Sequence, residues 1–161
     1  MPVSSSSRKT THEAFTATSF SPPVRNRTAI VNVLRRTSRA LAQGLADEGI
    51  RLVSGGTDSH LSLCDLRPLG IGGKQAEAVC DEIGIAINKN GIPFDPQPPL
   101  DPSGIRVGTP GPATLGMDEP EMKEVAGIMG EVLRQPGDDG VRTGARARVA
   151  ALVGRFPAYP R

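Results

Sequence analysis

A chain of 161 residues, 37% of them hydrophobic and 22% charged, is long enough for one domain with a real core. Its net charge of +2, with no basic stripe interleaved with aromatics and no apolar run of spanning length, argues against nucleic-acid and membrane partners. Two cysteines, Cys64 and Cys80, make neither a disulfide framework nor a metal site. Both sit in apolar patterns that predict buried free thiols and a cytoplasmic protein.

Residues 1–27 read as a separate leader. Ser4-Ser5-Ser6-Ser7 and Ser21-Pro22-Pro23 lack apolar periodicity, so disorder or weak local structure is expected. Arg8, Lys9, Arg25 and Arg27 stand here against the single acid Glu13. The Ser-rich, acid-poor composition is that of a transit peptide, but no amphipathic arginine helix accompanies it, nor does the apolar core of a secretory signal. The remainder, 28–161, reads as the folded domain.

Its first helix is predicted over Thr28–Glu48, with Ile30, Val33, Leu34, Thr37, Leu41 and Leu45 on one face and Gly49 as its stop. Two short strands, Ile50–Val53 and Leu61–Leu66, follow, joined by the polar, glycine-bearing loop 54–60. A turn at 68–73 leads to a helix over Lys74–Ile83, where Ala76, Val79, Cys80 and Ile83 fall at helical spacing. Gly73-Lys74 fails as a phosphate loop because Gln75 stands where a hydroxyl residue is required. Ile85–Ile87 reads as a brief strand entering a tight turn at Asn88-Lys89-Asn90-Gly91. The proline-rich run 92–99 is read as an ordered loop.

That loop delivers Ser103-Gly104-Ile105-Arg106-Val107-Gly108-Thr109-Pro110, whose middle alternates with period two. Ile105 and Val107 share one face, while Gly104, Arg106 and Gly108 share the other. An arginine between two glycines suggests a guanidinium with cleared space on both sides, open to bidentate capture of a carboxylate or phosphate. The alternative is an arginine paired with an Asp or Glu of its own domain. Further on, Asp118, Pro120 and Glu121 form a capping box for a helix with the stripe Met122, Val125, Ala126, Met129, Val132 and Leu133. After Gln135-Pro136-Gly137 a last helix, Asp139–Gly154, is expected to bury Val141, Ala145, Val149, Leu152 and Val153. The tail from Phe156 is expected to lie on the surface by its aromatics. The order predicts an α+β domain whose small, mainly antiparallel sheet is packed by helices.

Four stretches carry a resemblance: Leu52-Val53-Ser54-Gly55-Gly56-Thr57-Asp58-Ser59-His60-Leu61, Asp65-Leu66-Arg67, Asn88-Lys89-Asn90 with Ile92-Pro93, and Ser103 through Pro110. In this order and at these separations they resemble serine hydroxymethyltransferase (glycine hydroxymethyltransferase), and only its C-terminal part. The resemblance implies the small C-terminal domain of a fold-type-I transferase dependent on pyridoxal phosphate. That family moves a one-carbon unit from serine to tetrahydrofolate, giving glycine and 5,10-methylenetetrahydrofolate. It further implies that Arg106 holds the substrate carboxylate and that Asn90 contacts the folate pterin, a carboxamide offering both donor and acceptor. Asn90 read from its residues alone is a turn asparagine in the left-handed region.

The cofactor lysine and its surrounding residues belong to a large domain with no counterpart in this sequence. Neither a catalytic residue, nor a cofactor-binding residue, nor a metal ligand is therefore assigned, and the chain alone is expected to be inactive. Asp58 and His60 are read as shaping their loop. The partner implied is that large domain, in a homo-oligomeric family. The alternative is a free-standing binding or regulatory module that docks on a full-length homologue. Pro102 and Leu115 depart from the family pattern, in which Thr and Arg are usual.

Overall fold

The computed structural model describes residues 27–158, so the leader, except for Arg27, and the tail beyond Ala158 lie outside the described residues. Helix α1 (Arg27–Asp47) leads into the hairpin of β1 (Arg51–Leu52) and β2 (Leu61–Asp65). A 3-10 turn (Arg67–Leu69) and α2 (Gly73–Glu82) follow, then β3 (Asn88–Asn90) and β4 (Gly104–Gly108). The short α3 (Pro110–Thr114) precedes α4 (Glu119–Arg134) and α5 (Asp139–Arg155). The four strands form one sheet in the order β1-β2-β4-β3, every pair antiparallel. Among the described residues no helix is long and apolar enough to cross a membrane.

One face of the sheet is the floor of the core. Period two puts Ile105 and Val107 of β4 on that side, with Cys64 beside Ile105 on β2 and Leu52 beyond it on β1, all buried. Helices α1 and α4 run side by side in the same direction. Arg36 meets Asp118 at the start of α4, and Arg134 near its end meets Glu48 at 2.6 Å. Between these points Gly44 lies against Ala126, so closely that a Cβ on Gly44 would stand 2.6 Å from that methyl. The absence of a side chain lets the two backbones approach. Leu41, Leu45, Met122, Met129 and Leu133 fill the seam, all buried. The capping box of α4 forms as its sequence requires, Asp118 accepting from Glu119 N at 2.9 Å and Glu121 from Asp118 N at 2.8 Å.

Three expectations need correction. The strand expected at Ile85–Ile87 falls instead on Asn88–Asn90, and Ile85 and Ile87 pack half-buried against the core without regular pairing. Glu77 on α2 draws the edge strand into place by accepting from both Lys89 N (3.1 Å) and Lys89 Nζ (2.5 Å). Asn90 is accordingly a strand residue and not a left-handed turn residue. Among the described residues only Phe94 is a non-glycine with positive φ. Val153, expected in the core, is 48% exposed, as is Ile30 at 42%. The first turns of α1 run past the start of α4, where Arg36 meets Asp118, and among the described residues this leaves Ile30 and Val31 exposed.

Both thiols are buried, and burial pushes Cys64 and Cys80 up to about 12, since a thiolate there would lose its hydration.

Candidate functional site

Among the described residues no helix covers the other face of the sheet, which opens into a groove. Arg106 projects from its central strand, opposite Leu63 on β2 and Asn88 on β3. Asn90 stands opposite Gly104, one pair further along the same face. Arg106 and Asn90 are thus diagonal neighbours, about 7–8 Å apart by the geometry of antiparallel strands. The loop between β1 and β2 rises as a side wall. Ser54, Gly56, Thr57, Leu61, Asn90 and Arg106 border an open groove of about 860 Å3. The two residues singled out from sequence therefore line one depression.

The wall is held by its own hydroxyls. Thr57 Oγ1 donates to Leu61 O at 2.6 Å and Ser59 Oγ to the same carbonyl at 3.1 Å, while Gly55 supplies the left-handed turn at φ 71°. Asp58 reaches Arg39 on α1 at 2.5 Å, and the arginine holds its carboxyl below the usual range. His60 serves through its backbone, its carbonyl accepting from Thr109 N at 3.2 Å.

The ion pairs bear on one of the two readings of Arg106, a pair with an Asp or Glu of its own domain. Eight other arginines, among them Arg36, Arg51, Arg67 and Arg134, lie within 4.0 Å of a carboxylate. Among the described residues Arg106 has none, although it is exposed on a face that contains Asp65. Asp65 is already committed. It is buried at 1% and accepts from Arg67 N, Nε and Nη2 and from Arg51 Nη1 at 2.8–3.2 Å, which lowers its carboxyl below the ordinary value. The guanidinium of Arg106 is left with its fork of donors unclaimed by the fold. Asn90 donates its amide to Gly91 O at 2.7 Å, so the other end of the carboxamide is available.

The glycines beside Arg106 do not clear space for a ligand, contrary to the expectation from the alternating pattern. A Cβ on Gly104 would meet Ile92 Cγ2 at 2.5 Å, Cys64 O at 2.6 Å and Asn90 O at 2.9 Å. One on Gly108 would meet Leu61 Cδ2 at 2.8 Å and His60 O at 3.0 Å. Protein already occupies both places. The glycines let the neighbouring strands and Ile92 close over β4, and the room around Arg106 comes from the bare face itself.

Sequence reading missed Asp95. Its carboxylate accepts from Ile92 N (3.2 Å), Gln97 N (3.0 Å), Ser103 N (2.9 Å) and Ser103 Oγ (2.6 Å). One side chain thus ties Ile92, two residues past β3, to Ser103, the residue just before β4, and these bonds, Ser103 Oγ foremost, hold it far below the usual carboxylate range. It sets the pairing that brings Asn90 beside the Arg106 strand. The signal was an aspartate followed by proline, the start of an Asx turn.

The described residues do not fit the pyridoxal phosphate that the resemblance brings with it. Lys74 and Lys123 are exposed on helices, and Lys89 is committed to Glu77. None of the three borders the Arg106 groove or sits in the desolvated pocket that Schiff-base chemistry requires. Nor do three His, Cys, Asp or Glu side chains converge as metal ligands among the described residues.

Comparison with known proteins agrees with the motifs. The family model described as serine hydroxymethyltransferase matches residues 17–129, beginning inside the stretch set apart as a leader and ending within α4. A serine hydroxymethyltransferase of Rippkaea orientalis is 49% identical over 123 residues, covering 76% of this chain and 29% of the relative. One of Zymomonas mobilis is 48% identical over 129 residues, covering 76% of this chain and 30% of the relative. The chain therefore spans less than a third of the length of these relatives. A small antiparallel sheet packed by helices, the four motifs in order and a family match across most of the sequence lead to one conclusion: this chain belongs to the serine hydroxymethyltransferase family of fold-type-I transferases.

Proposed function

We propose that this chain is the substrate-orienting part of a serine hydroxymethyltransferase, holding the α-carboxylate of serine or glycine on Arg106 and a folate pterin edge on Asn90. The observation that carries this reading is the unclaimed guanidinium of Arg106, diagonal to Asn90 on a bare sheet face, while the neighbouring carboxylates are committed elsewhere. A planar fork meets a planar carboxylate through two parallel bonds, fixing the direction of the amino acid as well as its charge. The transfer chemistry needs a cofactor as electron sink, which a second polypeptide part must supply. The chain alone is then inactive.

The test supplies the missing part. The Zymomonas mobilis relative, shortened to remove the portion that this chain matches, is combined with this chain, and serine turnover is followed. Activity is expected only in the mixture. Removing one member of a buried charge pair costs about 2–5 kcal/mol, which is tens-fold to thousands-fold in affinity. Arg106→Ala and Arg106→Lys should both raise the serine requirement at least tens-fold, the lysine keeping charge but losing the fork. An Arg106→Lys mixture using serine as well as the parent would remove the carboxylate role. An independent readout on the isolated chain is an NMR titration with a reduced folate, in which the Asn90 side-chain amide should shift.

A further inference from the structure

The loop between β3 and β4 holds two large apolar side chains out in water. Phe94 is fully exposed and Leu100 is 83% exposed, the most exposed large hydrophobics among the described residues. The backbone beneath them is fixed. Asp95, beside Phe94, accepts from Ile92 N, Gln97 N and Ser103, and Asp101 N donates to Pro98 O at 3.0 Å. Pro93, Pro96, Pro98 and Pro99 fix φ at four further positions.

Phe94 is also strained. Its φ of 57° lies in the left-handed region, where a bulky side chain is rare and glycine is at ease. A fully solvated ring gains no packing among the described residues that would offset this strain. Strain of this kind collects at ligand clamps and contact sites, where the position of the side chain matters more than local stability.

The loop rises from the site already described. Buried Ile92 lies against Gly104 on the face that carries Arg106, two residues past Asn90 at the end of β3. A body that closes over Arg106 and Asn90 meets this loop at the border of the site. Of residues 92–100 only Asp95 and Gln97 are polar, and Asp95 is committed to its own loop. The complementary surface is therefore an apolar pocket without charge.

We infer that Phe94 and Leu100 form a preformed docking prong that seats in an apolar pocket of the cofactor-bearing part of the transferase. The inference rests on the reading that a second polypeptide part closes this face; the two relatives carry more than two thirds of their length outside the stretch matched here. A ring held beforehand in its bound position lowers the ordering cost of association. Buried aromatics are also the commonest anchors of interfaces.

The experiment replaces Phe94 by glycine, which suits the backbone and removes the ring. In the isolated chain Phe94→Gly should melt up to about 4 °C above the parent, because relief of left-handed strain exceeds the added glycine entropy. Association with the shortened Zymomonas mobilis relative, its fold checked by circular dichroism, should weaken tens-fold. Leu100→Asp should weaken it too. In the serine assay an excess of the Phe94→Gly chain should restore parental turnover, since the ring serves assembly. A melting temperature below the parent's would assign the ring to its own fold and overturn the inference, whatever the relative does. Equal association of Phe94→Gly and parent would overturn it as well. So would self-association of the chain that Phe94→Gly abolishes, which assigns the prong to a second copy. Turnover that stays low in excess Phe94→Gly chain would make the ring a substrate contact. A mixture that associates through Phe94 but leaves serine unchanged would keep the prong and remove the substrate reading instead.

Discussion

Gly104→Ala is the substitution that most directly tests how the Arg106 strand is built. An alanine methyl there would lie 2.5 Å from Ile92 Cγ2, 2.6 Å from Cys64 O and 2.9 Å from Asn90 O. Two of the three obstacles are backbone carbonyls of the flanking strands, which cannot rotate away. Overpacking typically costs about 1–3 kcal/mol, and rigid neighbours place this case at the upper end. Loss of glycine entropy from the unfolded chain returns about 0.4–1 kcal/mol. The net destabilisation is about 2 kcal/mol, or a melting temperature lowered by roughly 6–8 °C for a domain of this size. Thermal melts followed by circular dichroism measure it, with Gly144→Ala as the control. That position lies inside α5 with nothing within 4 Å of the added methyl, so alanine should stabilise by about 0.5–1 kcal/mol through helix propensity. If Gly104→Ala melted with the parent, the glycine would be unnecessary for strand closure and the reading of cleared ligand space would return.

Arg106→Ala should leave the stability of the isolated chain within about 0.5 kcal/mol of the parent, the usual range for an exposed side chain without partners; a clear fall in melting temperature would reveal an ion pair within the domain. Asp65→Asn should cost about 2 kcal/mol at neutral pH by weakening charge-assisted bonds from Arg67 and Arg51, measured by urea unfolding. The carboxyls of Asp65 and Asp95 are both lowered in the folded state, so the stability they confer is present above the unfolded value near 3.9 and is lost as pH falls through the folded values. Acid unfolding of the Asp65→Asn, Asp95→Asn double variant should accordingly show a shallower pH dependence below about pH 4. Cys64 and Cys80, raised to about 12 by burial, should react with a thiol reagent at mildly alkaline pH only as fast as the domain opens; rapid labelling of native protein would contradict their placement.

Where the sequence was legible, a local rule and the tertiary environment agreed. Asp118 and Glu121 announce the start of α4 because both halves of a capping box lie within one turn. Alternation around Arg106 identifies the central strand because one of its faces is fully buried. Asn90 was misread locally because Asn-Gly is a turn signal, and the strand end there is fixed by distant acceptors, Glu77 taking a bond from Lys89 N and Asp95 one from Ser103 N. Val153 follows the helical period of α5 yet borders an apolar groove with Ile85 and Leu115, since periodicity shows which residues share a face but not whether a neighbour reaches it. The company kept by Arg106 was beyond local reading. It depends on Asp65 being occupied by Arg51 and Arg67, one of which lies across the β1–β2 pairing.

The side-by-side run of α1 and α4 also bears on how the chain is made. Arg36 finds Asp118 across 82 residues of sequence, and the seam keeps nearly that offset to Glu48 and Arg134, 86 residues apart. During translation at about 5–20 residues per second, α1 emerges with Leu41 and Leu45 uncovered and its partner not synthesised until about 4–16 s later. Throughout that interval its apolar stripe is open to chaperones or to the same stripe on a neighbouring nascent chain. Synthesis of α4 ends that exposure, so a ribosome stalled before residue 118 would hold out a helix with only the sheet and α3 to pack on and its α4 seam still open.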